Sequence, residues 1–223
     1  FMMQIYFDGC SNTRCQGYMG NDTTKPSKEQ RDYLYLRWSK KICDELGAEE
    51  YNFADSGASN HRILRNLAQV QYKGLKYFDL IVIQMTFPHR FEWYDNDRNN
   101  WRRISIEKYN TLGYRGTNIL RKKENDTFTE FWRSYYESGM YSEDYGRVHE
   151  EICFNSIKSI CKANNLPLIL LSCNNKTELD FDYIIKKSHP DEIEQENMIR
   201  DLLELYEQKM YQMIPNCSRQ NRL

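Results

Sequence analysis

No apolar run in this chain approaches the roughly 20 residues needed to cross a bilayer, so a membrane span is not expected. The N-terminus lacks a basic flank followed by a long apolar stretch, which argues against a signal peptide. The chain opens on Phe1 rather than Met, and an upstream piece is allowed for. No Cys-x-x-Cys pair occurs, which removes the usual spacing of a structural zinc site. The 7 cysteines are an odd number, and they read as reduced thiols in a cytoplasmic setting. Neither sign of charge dominates: 31 Lys and Arg face 32 Asp and Glu. That balance argues against a dedicated nucleic-acid or anionic-membrane binder. No internal repeat or low-complexity segment is present.

What remains is 223 residues of mixed composition, read as a single domain over 1–223. A chain of this length buries about three quarters of its unfolded surface, enough for a core without staples. Aromatic residues make up 14 %, which argues against disorder. Met2 to Phe7 reads as a strand stopped by Asp8-Gly9, with a loop expected from Cys10 to Pro26. Ser27 and Gln30 form a capping box ahead of Leu34, Trp38, Ile42 and Leu46, and Gly47 closes that helix. Glu50 to Phe53 is a second strand, and a second helix follows Ser59, with Ile63, Leu67 and Val70 on one face. Asp79 to Gln84 and Leu166 to Ser172 are continuous apolar strands of the kind buried on both faces. A helical region from Phe128 to Asn165, broken at Gly139 and Gly146, precedes the latter. A last helix is expected from Pro190 to Met213. Alternating strands and helices predict an α/β fold, a three-layer α/β/α sandwich around a mostly parallel central sheet.

In such sheets ligands bind beyond the carboxyl ends of the strands. Those positions carry Asp8-Gly9-Cys10-Ser11-Asn12-Thr13, Asp55-Ser56-Gly57-Ala58-Ser59-Asn60 and Thr86-Phe87-Pro88-His89-Arg90-Phe91-Glu92, with Ser188-His189-Pro190 ahead of the last helix. In order, spacing and strand context they resemble the SGNH hydrolases, or GDSL esterases and lipases, over nearly the whole chain. Gly-Cys-Ser-x-Thr with Gly-Ala-Ser-Asn-x-Arg-Ile looks like a divergent branch seen in viral and environmental sequences. The resemblance implies a flavodoxin-like SGNH fold and acyl transfer without a cofactor. It implies Ser11 as nucleophile and His189 as general base. It also implies the N–H groups of Ser11 and Gly57 as oxyanion donors. Two positions depart from the family pattern. Thr86 is the nearest match to the oxyanion Asn, with Asn60 as a neighbouring amide. Lys186 stands where an Asp would orient His189, so Asp182, Asp180 or a backbone carbonyl would have to serve, with Asp182 the first choice.

Each of these residues also has an ordinary reading. Ser11 is a good turn former, and His189-Pro190 is a good helix start. Cys10 reads as buried filler. His61 and His89 read as surface or substrate-contact residues, with no second ligand at i+4. Arg90 and Glu92 read either as substrate-binding groups at the rim or as an ion pair. The polar insert over about 87–126 carries Arg98, Arg102, Arg103, Lys122 and Lys123 among Trp101, Tyr109 and Tyr114. It reads as a solvated face or a cover over the site before a polyanion surface. The expected activity is an esterase acting on a small acyl ester, an O-acetylated carbohydrate among the candidates. The alternative is a binding protein on the same scaffold, for a carbohydrate or another polar ligand. The implied partners are small-molecule or carbohydrate esters, without membrane or nucleic acid.

Overall fold

Five strand segments lie side by side and parallel, the inner three apolar, and helices cover both faces of the sheet they form. A computed structural model describes residues 2–14, 37–96, 99–105, 130–131, 134–135, 138–139, 142–185 and 192–213. The elements in chain order are β1 (Met3–Asp8), α1 (Ser11–Arg14), α2 (Trp38–Leu46), β2 (Ala48–Asn52) and α3 (Asn60–Gly74). They continue with β3 (Leu80–Met85), β4 (Arg90–Asp95), β5 (Asn100–Ser105), α4 (Glu143–Ala163), β6 (Leu168–Ser172), β7 (Tyr183–Ile184) and α5 (Glu192–Met213). The central sheet has the order β2-β1-β3-β6-β7. Every pairing in it is parallel.

The apolar pattern explains the layers. Leu80 to Met85 are all buried, as a strand covered on both faces requires. Ile5, Phe7, Leu80, Val82, Ile169 and Leu171 face Trp38, Ile42 and Cys43 of α2 and Met198, Ile199 and Leu202 of α5. The alternate residues Tyr6, Ile81, Ile83, Met85 and Leu170 face Ile63 and Leu67 of α3 and Cys153, Phe154 and Ile157 of α4. The result is the expected α/β/α sandwich. Each fully buried large apolar side chain contributes about 1.5–3 kcal/mol. Local signals fix the helix ends. Ser59 caps α3 by accepting the Arg62 N–H at 3.1 Å. Gly47 ends α2 in the left-handed region, φ 61°.

Several expectations are corrected. The loop expected after β1 begins as the short helix α1. Gly146 does not break a helix: α4 starts only at its cap Ser142, so Gly146 falls near its first turn, buried, and the helix runs on. The insert holds an antiparallel hairpin, β4–β5, which pairs Glu92 with Arg103 and Tyr94 with Trp101. The strand β7 was not expected at all. The capping box at Ser27, the start of the last helix and most of the basic insert lie outside the described residues.

Candidate active site

The sheet changes its direction of winding between β1 and β3, and the crevice over their carboxyl ends is where such folds bind ligands. Ser11 stands there, half-buried, as the first residue of α1. Gly57 lies in the loop after β2 with φ 70°, a conformation that favours glycine. Thr86 follows β3, and Cys173 follows β6. Among the described residues, neither the Ser11 nor the Gly57 N–H is spent on a backbone carbonyl.

The turn that carries Ser11 is tied on every side. A Cβ on Gly9 would strike Thr13 Oγ1 and come within 2.9 Å of Gln84 Cβ. Only glycine lets the turn pass this close to β3. The Thr13 hydroxyl donates to Gln84 Oε1, and Asn52 Nδ2 donates to the Thr13 carbonyl at 3.1 Å. The Gly9 carbonyl accepts the Asp55 N–H at 3.1 Å. The Gly9 N–H goes to Asp8 Oδ1 at 2.8 Å. Asp8 is fully buried. Its Oδ1 also accepts from Arg62 at 3.1 Å, and its Oδ2 accepts from Tyr6 Oη at 3.1 Å and Asn66 Nδ2 at 3.0 Å. Burial pushes the Asp8 carboxyl up to about 6 against the pull of Arg62, Asn66, the Gly9 N–H and Tyr6. Tyr6 is itself pushed up, first by burial and then by Asp8.

Asn60 and Thr86 meet directly. Asn60 Oδ1 accepts the Thr86 N–H at 2.7 Å and its Nδ2 donates to the Thr86 carbonyl at 3.0 Å. The Asn60 amide therefore pins the loop after β3 to the start of α3. One N–H is left over for anything else. Thr86 Oγ1 accepts from Arg90 at 2.9 Å, and the Thr86 hydroxyl in turn bonds Cys173. Cys173 donates to the Met85 carbonyl at 3.3 Å. A hydrogen bond with Cys10, followed by burial, holds Cys173 well above the ordinary thiol range. Both thiols are buried.

Other candidates are placed differently. Asp182 accepts the Leu170 N–H at 2.8 Å and pairs with Lys209 at 2.6 Å. Its two oxygens are thus held by β6 and α5. Glu92 is buried and takes both ends of Arg65, at 2.8 and 3.1 Å, so it does not pair with Arg90. His189 and Lys186 lie outside the described residues. His61 meets His149 of α4, Nε2 to Nδ1 at 3.1 Å, among the rings of Phe91 and Tyr145. Burial, then His149, depresses the His61 pKa, against Glu92. His89 stacks on Phe87. Among the described residues, no three His, Cys, Asp or Glu converge to hold a metal ion. No described helix is long and apolar enough to cross a membrane.

Sequence reasoning missed Asp8 as more than a strand stop, and it missed Arg62, Asn66, Gln84 and Cys173. Arg62 was the one with a signal, a basic residue in the first turn of a helix whose amino end needs no cation.

No protein-family model and no curated protein matches this chain. Among solved structures, it is similar to a carbohydrate esterase described as having divergent catalytic and non-catalytic binding functions in its active site. That alignment has TM-score 0.49 and 14 % identity, over 92 % of this chain and 65 % of the other. A family two carbohydrate esterase from Clostridium thermocellum in complex with cellohexaose aligns at TM-score 0.41 and 14 % identity, over 93 % and 64 %. A member of the lipolytic G-D-S-L family from Veillonella parvula aligns at TM-score 0.35 and 14 % identity, over 92 % and 98 %. This chain thus spans just under two thirds of the two carbohydrate esterases.

Proposed function

We propose that this chain is a serine ester hydrolase of SGNH type acting on a small acyl ester, O-acetylated carbohydrates included. One observation carries the reading: Ser11 heads a turn rigidly tied in the β1/β3 crevice, and among the described residues neither the Ser11 nor the Gly57 N–H goes to a backbone carbonyl. In the mechanism, Ser11 Oγ attacks the ester carbonyl carbon while His189 takes the hydroxyl proton. The carbonyl oxygen becomes an oxyanion and accepts from the two backbone N–H groups, and from the Thr86 hydroxyl once it turns away from Cys173. Collapse breaks the bond to the alcohol, which leaves with the proton from His189. Water, activated by His189, then hydrolyses the acyl-enzyme and regenerates Ser11.

Labelling of Ser11 with a fluorophosphonate and turnover of an aryl acetate test this. Ser11→Ala is expected to abolish labelling and lower turnover by about 10⁴-fold or more. Equal behaviour of wild type and Ser11→Ala would sink the assignment. The second reading, a binding protein for a polar ligand, is favoured by the engagement of Asp182 with Lys209. Specific ligand retention by a chain that no fluorophosphonate labels would support it.

A further inference from the structure

Arg62 reaches two loops at once. One end of its guanidinium donates to Asp8 Oδ1 at 3.1 Å, and the other donates to the Phe53 carbonyl at 2.8 Å. Asp8 closes the turn before Ser11 through the Gly9 N–H. Phe53 opens the loop that holds Gly57. The two loops meet again where the Asp55 N–H donates to the Gly9 carbonyl. Arg62 has little freedom of its own: its side chain is 15 % exposed, and its backbone N–H is held by the Ser59 cap.

The surroundings of Asp8 are all donors. The Gly9 N–H and Arg62 serve one oxygen, and the Tyr6 hydroxyl and Asn66 serve the other. Of these four donors only the Tyr6 hydroxyl could turn to answer a protonated carboxyl, so they serve the carboxylate and oppose the burial that favours its proton. A buried ion pair is a poor source of net stability, since an apolar pair of similar volume often does as well. What a forked guanidinium supplies instead is fixed distance and angle.

We propose that Arg62 and Asp8 are positioning residues, a strut that sets the spacing of the Ser11 and Gly57 N–H groups. The catalytic consequence rests on the esterase reading above; the structural one does not. Oxyanion donors are effective only at about 2.7–3.1 Å. A misplacement of about 1 Å can cost on the order of 100-fold in rate.

The test uses the full chain with Arg62→Met, Arg62→Lys and Asp8→Asn. Hydrogen–deuterium exchange is read on peptides covering residues 5–11 and 53–58. Arg62→Met is expected to speed exchange in both loops together, while β3 and β6 keep their protection. Arg62→Lys, which keeps the charge without the fork, should recover part of the loss. Acceleration of one loop alone, or a uniform rise across the chain, would overturn the strut. In aryl acetate turnover, Arg62→Met and Asp8→Asn should lower kcat by about 10–100-fold with KM within about twofold. Loosened loops with unchanged kcat would overturn the positioning role. A wild-type chain without turnover or labelling sinks the esterase reading instead, and the exchange data then decide the strut by themselves.

Discussion

Replacing Gly9 by alanine puts one methyl group into the tightest point of the turn that carries Ser11. The new Cβ would meet Thr13 Oγ1 inside any normal contact distance and Gln84 Cβ at 2.9 Å. Neither neighbour is the loose end of a flexible side chain: Gln84 and Thr13 are fully buried. Overpacking of this kind costs about 1–3 kcal/mol. Relief by rotating Thr13 would break its hydrogen bond to Gln84. Among the described residues Gln84 Nε2 already lacks a partner, so the whole amide would then be buried unsatisfied there. That adds about 1–3 kcal/mol. The expected loss for Gly9→Ala is therefore about 2–6 kcal/mol on these two contributions, measured by urea unfolding. A double-mutant cycle sharpens the test. Thr13→Ala alone loses the hydrogen bond, but in the Gly9→Ala background it also removes the oxygen that clashes. The double variant should be more stable than the sum of the singles by about 1 kcal/mol or more. A Gly9→Ala chain within about 0.5 kcal/mol of wild type, or strict additivity in the cycle, would refute the close-approach argument.

Other consequences can be checked in the same way. Burial raises the Asp8 carboxyl from 3.8 to about 6, so the folded chain holds that proton more tightly than the unfolded one. The stability it lends is present below pH 3.8 and lost as the pH rises through about 6, a change of about 3 kcal/mol that Asp8→Asn should remove from the stability–pH curve. His61 has the opposite sign: its depressed pKa lends stability above pH 6.5 that is lost as the pH falls through its folded value. His149→Gln should flatten that acid-side loss, and an unchanged slope would count against the paired histidines. Arg65→Ala strands the buried Glu92 and uncovers the Trp101 ring, which lies 4.5 Å from the guanidinium. It should cost about 3 kcal/mol and shift tryptophan emission to the red; unaltered emission and stability would argue that the hairpin is held by other contacts.

The sheet was legible because its inner strands are apolar without interruption, and the helix ends because Ser59 and Gly47 are strong local signals. The hairpin was not, since Arg90 to Asp95 buries Glu92 and Asp95 and exposes Trp93 and Tyr94, against the usual sense of an amphipathic strand. Its buried Glu92 is tolerated only because Arg65, far back in α3, answers it. Gly146 read as a helix break because its cost in a helix, about 1 kcal/mol relative to alanine, is visible in sequence while its buried place on α4 is not. In the site, Ser11 and Gly57 could be named from the strand ends they follow. Asp8 could be read only as a strand stop: its partners Arg62 and Asn66 lie 54 and 58 residues away. Asn60 could be placed near Thr86, but its commitment to both Thr86 backbone groups is a matter of ångströms that spacing does not encode.

The ties around Gly9 also bear on when the crevice comes into being. Thr13 and Gln84 are 71 residues apart, and Asp8 and Arg62 are 54 apart. Contacts of that range cannot form until the parallel strands have been brought together, at an entropy cost that grows with the loop closed. A turn completed only once the sheet is in place would lie on the native side of the folding barrier. Defects introduced there should quicken unfolding more than they slow folding, so the region that holds the site also sets how long a folded chain lasts.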